Sequence, residues 1–188
     1  MNSLTQVDWS TIPAPEDDGQ ASHLTSMLVP SVSLMATDGA QVDLSTLQGL
    51  VVVYAYPMTG TPGKALPDGW DQLPGARGCT PQSCAFRDHA VELEQLGVSA
   101  VFGLSTQSSD SQREAATRLS LPFNLLSDES LALSDALKLP MLLVEGKKLT
   151  KRITLVIRDG VIVKVFYPVF PPDENATDVI AYLKAETD

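Results

Sequence analysis

The stretch LVVVYAYP, Leu50–Pro57, is the longest uninterrupted apolar run of the chain, and the fold can be worked out from it. Its β-branched residues and its lack of polar alternation are typical of a strand that is buried on both faces. A loop rich in Gly and Pro, Pro57–Gly78, follows this strand. After the loop, apolar residues recur at intervals of three and four up to Gly97, a typical helix stop, so the segment predicts a helix.

The other segments also alternate between strand and helix patterns. Two hairpins are predicted, one around Asp38-Gly39 and one around Asp159-Gly160, because Asp-Gly pairs favour the two-residue turns that join antiparallel strands. Between the hairpins, the strand and helix described above are followed by two further predicted strands and two further helices, and a closing amphipathic helix follows the second hairpin. The order β-β-β-α-β-α-β-α-β-β-α predicts an α/β fold in which helices flank a mixed sheet.

The length of 188 residues predicts one domain with a sizeable core. Residues 1–25 are polar and contain two prolines and an acidic run, so we expect an extension that lies over the domain or is partly disordered. The domain itself is expected over residues 26–188.

The composition limits the classes of partner and the cellular location that we expect for this protein. The formal net charge of −10 argues against nucleic acid and anionic membranes as main partners. No segment approaches the roughly 20 apolar residues of a membrane span, and the N-terminus lacks the pattern of a secretory signal. We therefore expect a cytoplasmic protein, in which a cysteine pair is catalytic or metal-binding more often than a structural crosslink.

The only two cysteines, Cys79 and Cys84, lie at the junction of the loop and the predicted helix. At a helix start, unpaired backbone N–H groups and the helix dipole favour the thiolate of Cys79 over the thiol. Residues five apart on a helix are rotated by about 140° and separated by about 8–9 Å between Cα atoms. A disulfide needs less than about 7 Å, so the pair could be joined only if the helix unwinds. Two unrelated helical cysteines are the alternative interpretation.

A metal site is the other use of such residues, because Cys79, Cys84 and His89 have a Cys-x4-Cys-x4-His spacing. On one helix these side chains point in three directions, whereas zinc requires tetrahedral convergence. We therefore expect no metal site here.

The segment GCTPQSCAFRD, Gly78–Asp88, resembles the Gly-Cys-Thr-x-Gln-x-Cys-x-x-Arg-Asp motif of Q-type peroxiredoxins (bacterioferritin-comigratory-protein-like). LVVVYAYP, VFGLST, PFNLLSDES and KRITLVIRDGVI are similar to other segments of that family in the same order. The resemblance implies a thioredoxin-like fold with an N-terminal β-hairpin, a peroxidatic Cys79, a resolving Cys84 and a catalytic Arg152 that also binds substrate. It implies no metal or organic cofactor.

The sequence departs from the family pattern inside the active-site loop. Peroxiredoxins carry Pro-x-x-x-Thr-x-x-Cys as one compact motif, whereas here about fifteen residues, 64–78, separate the first part from Cys79. The resemblance then assigns Pro57 and Thr61 as the motif proline and threonine that bind the peroxide, with Thr59 as the competing threonine. Trp70 within this insert is expected to anchor the loop by apolar packing.

The function that the resemblance implies is a thiol-dependent peroxidase acting on hydrogen peroxide or organic hydroperoxides. Cys79 and Cys84 would form a disulfide after local helix unwinding, and a thioredoxin- or glutaredoxin-like protein would reduce it. A monomer and a homodimer are both open. The alternatives are a thioredoxin-fold disulfide reductase or redox sensor with little peroxidase activity, and a non-catalytic binding module.

Overall fold

The computed structural model describes residues 7–187, with nine strands and five α-helices in that range. The strands are β1 Ser33–Ala36, β2 Gln41–Asp43, β3 Leu50–Ala55, β4 Val98–Ser105, β5 Leu125–Ser127, β6 Met141–Val144, β7 Lys147–Thr150, β8 Ile153–Arg158 and β9 Val161–Phe166. The helices are α1 Cys79–Asp88, α2 Ala90–Gln95, α3 Ser109–Arg118, α4 Ala132–Leu137 and α5 Asn175–Thr187.

Seven strands form one mixed sheet in the order β2-β1-β5-β4-β3-β8-β9. Strand β3 pairs in parallel with β4 and antiparallel with β8, so it is an interior strand, as its apolar run predicts. Alternate residues of β3 face opposite sides of the sheet, because Val51 and Val53 belong to one core cluster and Val52 and Tyr54 to the other. Helices α1, α2, α3 and α5 contribute to the second cluster, which contains Cys79.

Both predicted hairpins are present. Strands β1 and β2 pair antiparallel around the first Asp-Gly turn. Strands β8 and β9 turn at Asp159 and Gly160, whose φ angles of 47° and 78° are both positive, as a type I′ turn requires. The prediction of an α/β fold with helices flanking a mixed sheet and an N-terminal hairpin is confirmed in its architecture.

Two local features differ from the sequence prediction. Strands β6 and β7 form a separate two-stranded sheet that was not predicted, and Glu145 and Gly146 at its turn have φ angles of 48° and 77°. The helix predicted up to Gly97 is broken at His89, where α1 ends and α2 begins. Its apolar face nevertheless stays continuous, because Phe86 and Leu93 are both fully buried in the same core cluster.

The described part of the N-terminal segment packs on the sheet. Ala21 and Leu24 are buried in the first core cluster. The Asp18 carboxylate accepts hydrogen bonds from Lys151 Nζ at 2.6 Å and from the Tyr167 hydroxyl at 2.8 Å. Residues 1–6 of the predicted extension lie outside the described residues. Within residues 7–187, no helix is long and apolar enough to cross a membrane.

Candidate active site

Helix α1 begins at Cys79, as the sequence predicts, and Gly78 precedes it with φ of 108°. A Cβ atom at position 78 would lie 2.5 Å from Pro172 Cγ and 2.8 Å from Trp9 Cη2, so glycine is required by close approach as well as by backbone angle. Cys79 and Cys84 are both free thiols on the intact helix and are 4% and 7% exposed. Cys79 therefore lies at the helix N-terminus, where backbone N–H groups favour a negative charge.

Arg152 lies directly before β8 and its side chain reaches Cys79. Its Nη2 donates to Cys79 Sγ at 3.2 Å, and the residue is only 2% exposed. The same nitrogen also lies within 3.1–3.3 Å of the backbone carbonyl oxygens of Gly75, Ala76 and Arg77. A buried guanidinium in contact with the sulfur can stabilise negative charge in the reacting group, because opposite charges attract strongly where water is excluded.

Gln82, one turn further along α1, orients the other end of this guanidinium. Its Oε1 accepts from Arg152 Nη1 at 2.5 Å, and its Nε2 donates to Asn175 Oδ1 at 2.9 Å. Neither Gln82 nor Asn175 was among the site residues predicted from the sequence. Gln82 could have been found from the motif segment, which contains it, whereas Asn175 carries no local signal.

Cys84 has a different environment from Cys79. Desolvation by burial raises the pKa of its thiol, and the nearby Arg87 guanidinium offsets this only in part. Burial therefore disfavours the thiolate of Cys84, and the side chain is enclosed while α1 is intact.

The insert 64–78 packs as a small unit against the β6–β7 hairpin. Trp70 is 5% exposed and forms a third apolar cluster with Ala76 and Leu149, and Leu142 and Val144 of the hairpin pack against it. This apolar packing is what an anchor of the loop requires, so the anchoring role of Trp70 stays a prediction that the contacts support. This packing brings the carbonyls that follow Trp70 to Arg152.

A cavity of about 680 Å³ opens beside Cys79, and it is lined by residues that include Met58, Thr59, Thr61, Leu66, Trp70 and Cys79. Thr61 is partly exposed in this cavity. Thr59 is 4% exposed and committed to Gln107, because its backbone N–H donates to Gln107 Oε1 at 2.9 Å and its carbonyl accepts from Gln107 Nε2 at 3.1 Å. Both candidate threonines thus reach the cavity wall on the same loop.

Pro57 is buried and is not among the cavity-lining residues. Its carbonyl accepts from the Ser105 hydroxyl at 3.2 Å, which ties the start of the loop to the end of β4.

Within residues 7–187, no three His, Cys, Asp or Glu side chains converge as metal ligands would. His89 Nδ1 instead lies 3.3 Å from Glu92 Oε2.

Comparison with known proteins agrees with this geometry. A family model described as Redoxin matches residues 24–180. Peroxiredoxin Q (chloroplastic) of Sedum lineare is 33% identical over 158 residues, which are 83% of this chain and 75% of that protein. Peroxiredoxin Bcp of Escherichia coli (strain K12) is 39% identical over 103 residues, which are 54% of this chain and 56% of that protein.

Among solved structures, peroxidoxin BcpB from Mycobacterium tuberculosis has a TM-score of 0.68 and 27% sequence identity, with 86% of this chain and 96% of that chain covered. The predictions of a thioredoxin-like fold and of a thiol peroxidase are thereby confirmed. The chain belongs to the peroxiredoxin Q family, and it is an oxidoreductase that acts on peroxides through a cysteine thiol.

Proposed function

We propose that Cys79 is the peroxidatic cysteine, that Cys84 is the resolving cysteine and that Arg152 is the catalytic arginine. The observation that carries this proposal is the 3.2 Å hydrogen bond from Arg152 Nη2 to Cys79 Sγ. The raised pKa of Cys84 supports the same division of roles, because a buried, protonated thiol is a poor nucleophile until the helix around it opens.

In the first step the Cys79 thiolate attacks the terminal oxygen of the hydroperoxide and breaks the O–O bond. The sulfur becomes a sulfenic acid, and the leaving oxygen takes a proton and departs as water or an alcohol. Negative charge moves from sulfur to the leaving oxygen, so donors fixed near both atoms lower the barrier. The guanidinium of Arg152 and the backbone N–H groups at the start of α1 are these donors.

In the second step the Cys84 sulfur displaces the sulfenic oxygen of Cys79, a disulfide forms and water is released. Both cysteines lie on the intact helix α1, so its first turns unwind before the two sulfurs meet. A thioredoxin- or glutaredoxin-like dithiol then reduces the disulfide by exchange.

The substrate occupies the cavity beside Cys79, which has room for hydrogen peroxide and for an organic hydroperoxide. We assign Thr61 as the residue whose hydroxyl orients the peroxide, because Thr59 is buried and its own hydroxyl donates to Gln107 Oε1 at 3.3 Å. Pro57 would act indirectly by fixing the path of the loop between β3 and the cavity.

The wider setting is also part of this proposal. Residues 26–188 would be one domain that carries the insert 64–78, with residues 1–25 as an extension over it. The protein would work in the cytoplasm as a monomer or a homodimer. Neither nucleic acid nor a membrane would be a partner, in keeping with the net charge of −10.

Stopped-flow oxidation of the reduced protein by hydrogen peroxide tests the cysteine roles. Cys79→Ser is expected to abolish the reaction. Cys84→Ser is expected to be oxidised once and to accumulate sulfenic acid, which a dimedone-type trap detects. The wild type should turn over peroxide far better than it reduces insulin disulfides. A Cys79→Ser protein that still turned over, or a wild type that reduced insulin but not peroxide, would contradict the proposal.

A further inference from the structure

Four buried polar side chains form a continuous hydrogen-bonded relay that ends on the Cys79 sulfur. Thr154 Oγ1 donates to Asn175 Oδ1 at 2.6 Å, and Gln82 Nε2 donates to the same oxygen at 2.9 Å. Gln82 Oε1 accepts from Arg152, which in turn donates to Cys79. Thr154, Asn175 and Gln82 are fully buried, so no solvent competes for these bonds.

The orientation of each amide in the relay is forced by its partners. A guanidinium can only donate, so Gln82 must turn its oxygen to Arg152 and its nitrogen to Asn175. Asn175 uses its oxygen for both incoming donors, and its Nδ2 has no hydrogen-bond partner among the described residues. Thr154 and Gln82 therefore both donate to Asn175 Oδ1, while Arg152 donates to Gln82 on one side and to Cys79 on the other. The Thr154 hydroxyl lies at the end of the network that is farthest from the sulfur.

The relay connects three secondary-structure elements, of which only one has to unwind during the reaction. Thr154 lies in β8, an interior strand of the sheet, and pairs with Tyr54 of β3 and Phe166 of β9. Asn175 is the first residue of α5. Gln82 lies on α1 between Cys79 and Cys84, in the segment that must unwind for the disulfide to form. Thr154 and Asn175 thus lie in elements that stay folded during the reaction. Gln82 lies in the segment of α1 that unwinds, so its hydrogen bonds must break before the disulfide forms.

We propose that Asn175 and Thr154 are positioning residues of this peroxidase. They hold Gln82 so that the Arg152 guanidinium is fixed on Cys79, and they oppose the unwinding of α1. The inference rests on the proposed roles of the two cysteines and adds two residues to which the motif gives no part. Neither residue touches the peroxide.

This arrangement predicts two rate changes of opposite sign when the relay is cut. Without the Thr154 hydroxyl, Asn175 and Gln82 are less well fixed, so Arg152 is less well placed and oxidation of Cys79 slows. Unwinding α1 then breaks a weaker set of bonds, so disulfide formation speeds up. One buried neutral hydrogen bond corresponds to roughly 3- to 10-fold in each rate.

Thr154→Val tests the proposal, because it removes the hydroxyl and keeps the β-branched shape. Stopped-flow mixing with hydrogen peroxide gives the rate of Cys79 oxidation in the Cys84→Ser background and the rate of disulfide formation with both cysteines present. We expect the first rate to fall and the second to rise, each by roughly 3- to 10-fold. Thr154→Ser restores the donor and should return both rates to near wild type.

Thr150→Val is the matched control. Thr150 is also fully buried, and its hydroxyl has no hydrogen-bond partner among the described residues, so both rates should stay at the wild-type level. A general loss of stability would change the melting temperature in either variant, but it would not slow one rate, speed the other and be reversed by serine.

Two rates that both remained at the wild-type level in Thr154→Val, or that moved in the same direction, would overturn the inference. If Thr154→Val does not fold, Asn175→Ala, which removes the shared acceptor, must show the same opposed changes or the inference fails. A Cys79→Ser protein that still turned over peroxide would instead overturn the proposed cysteine roles, so the two failures can be told apart.

Discussion

Replacing Trp70 by alanine is expected to detach the insert while leaving the main sheet folded. Trp70 is 5% exposed, and its cluster is separate from the two cores that cover the faces of the sheet. Truncating a buried tryptophan to alanine costs about 3–5 kcal/mol. The lost contacts join the insert to the β6–β7 hairpin. The substitution should therefore mainly destabilise the closed state of the insert relative to its open state, and should affect global unfolding less.

Limited trypsin digestion measures this opening directly. Arg77 is exposed, but its neighbours Ala76 and Gly78 are buried, so the peptide bond after Arg77 is shielded while the insert is closed. A loss of about 3–5 kcal/mol raises the open population by roughly 10²- to 10³-fold or more, and cleavage should accelerate by a similar factor until opening is complete.

Leu143→Ala is the control for this experiment. Leu143 lies on the same hairpin but is 74% exposed, so its truncation should leave cleavage after Arg77 nearly unchanged. Equal cleavage rates in Trp70→Ala and Leu143→Ala would refute the view that Trp70 anchors the insert.

Three further predictions concern the loop threonines, the arginine and the N-terminal segment. Thr61→Val should slow oxidation by hydrogen peroxide by roughly 10²-fold, whereas Thr59→Val should change it by no more than a few-fold, as measured by stopped flow. Arg152→Lys keeps the charge but loses the forked donors, so oxidation should slow by roughly 10- to 100-fold, the equivalent of one charge-assisted hydrogen bond. Partial desolvation would by itself raise the pKa of Asp18, but the hydrogen bonds from Lys151 and Tyr167 lower it to about 2, below the ordinary value of 3.8. Asp18→Asn should therefore lower the free energy of unfolding above about pH 4, and the difference from wild type should shrink as pH falls from about 4 to 2, as urea denaturation would show.

Each of these predictions has a clear contrary result. A larger effect of Thr59→Val than of Thr61→Val would make Thr59 the motif threonine. A fully active Arg152→Lys would mean that charge alone suffices beside the sulfur. A stability difference for Asp18→Asn that did not change between pH 4 and pH 2 would exclude the carboxylate as its source.

The sequence predicted best where a local pattern fixes a local structure. Leu50–Ala55 is apolar at every position and rich in β-branched residues, which is typical of an interior strand, and Asp159-Gly160 is one of the dipeptides that most favour a tight hairpin. The start of α1 at Cys79 followed from apolar spacing and from the Gly/Pro loop before it.

The missed features depend on partners that are distant along the chain. The β6–β7 hairpin turns at Glu145-Gly146, a weaker turn signal than Asp-Gly, and its strands are stabilised by Trp70 from the insert. In the same way, Asn175 is 93 residues from Gln82, and no spacing rule says that an asparagine at the start of the last helix will be buried. Only the tertiary fold brings such polar groups together.

The insert contacts the Arg152 guanidinium through its main chain, and this limits how the loop can be engineered. The loop offers the guanidinium three acceptors, and all three are main-chain carbonyls, of Gly75, Ala76 and Arg77. Every amino acid supplies such a carbonyl, so the loop's path and length, rather than its side chains there, maintain the arginine. Shortening the loop would therefore withdraw the acceptors from the guanidinium, even if every side chain that lines the site were kept.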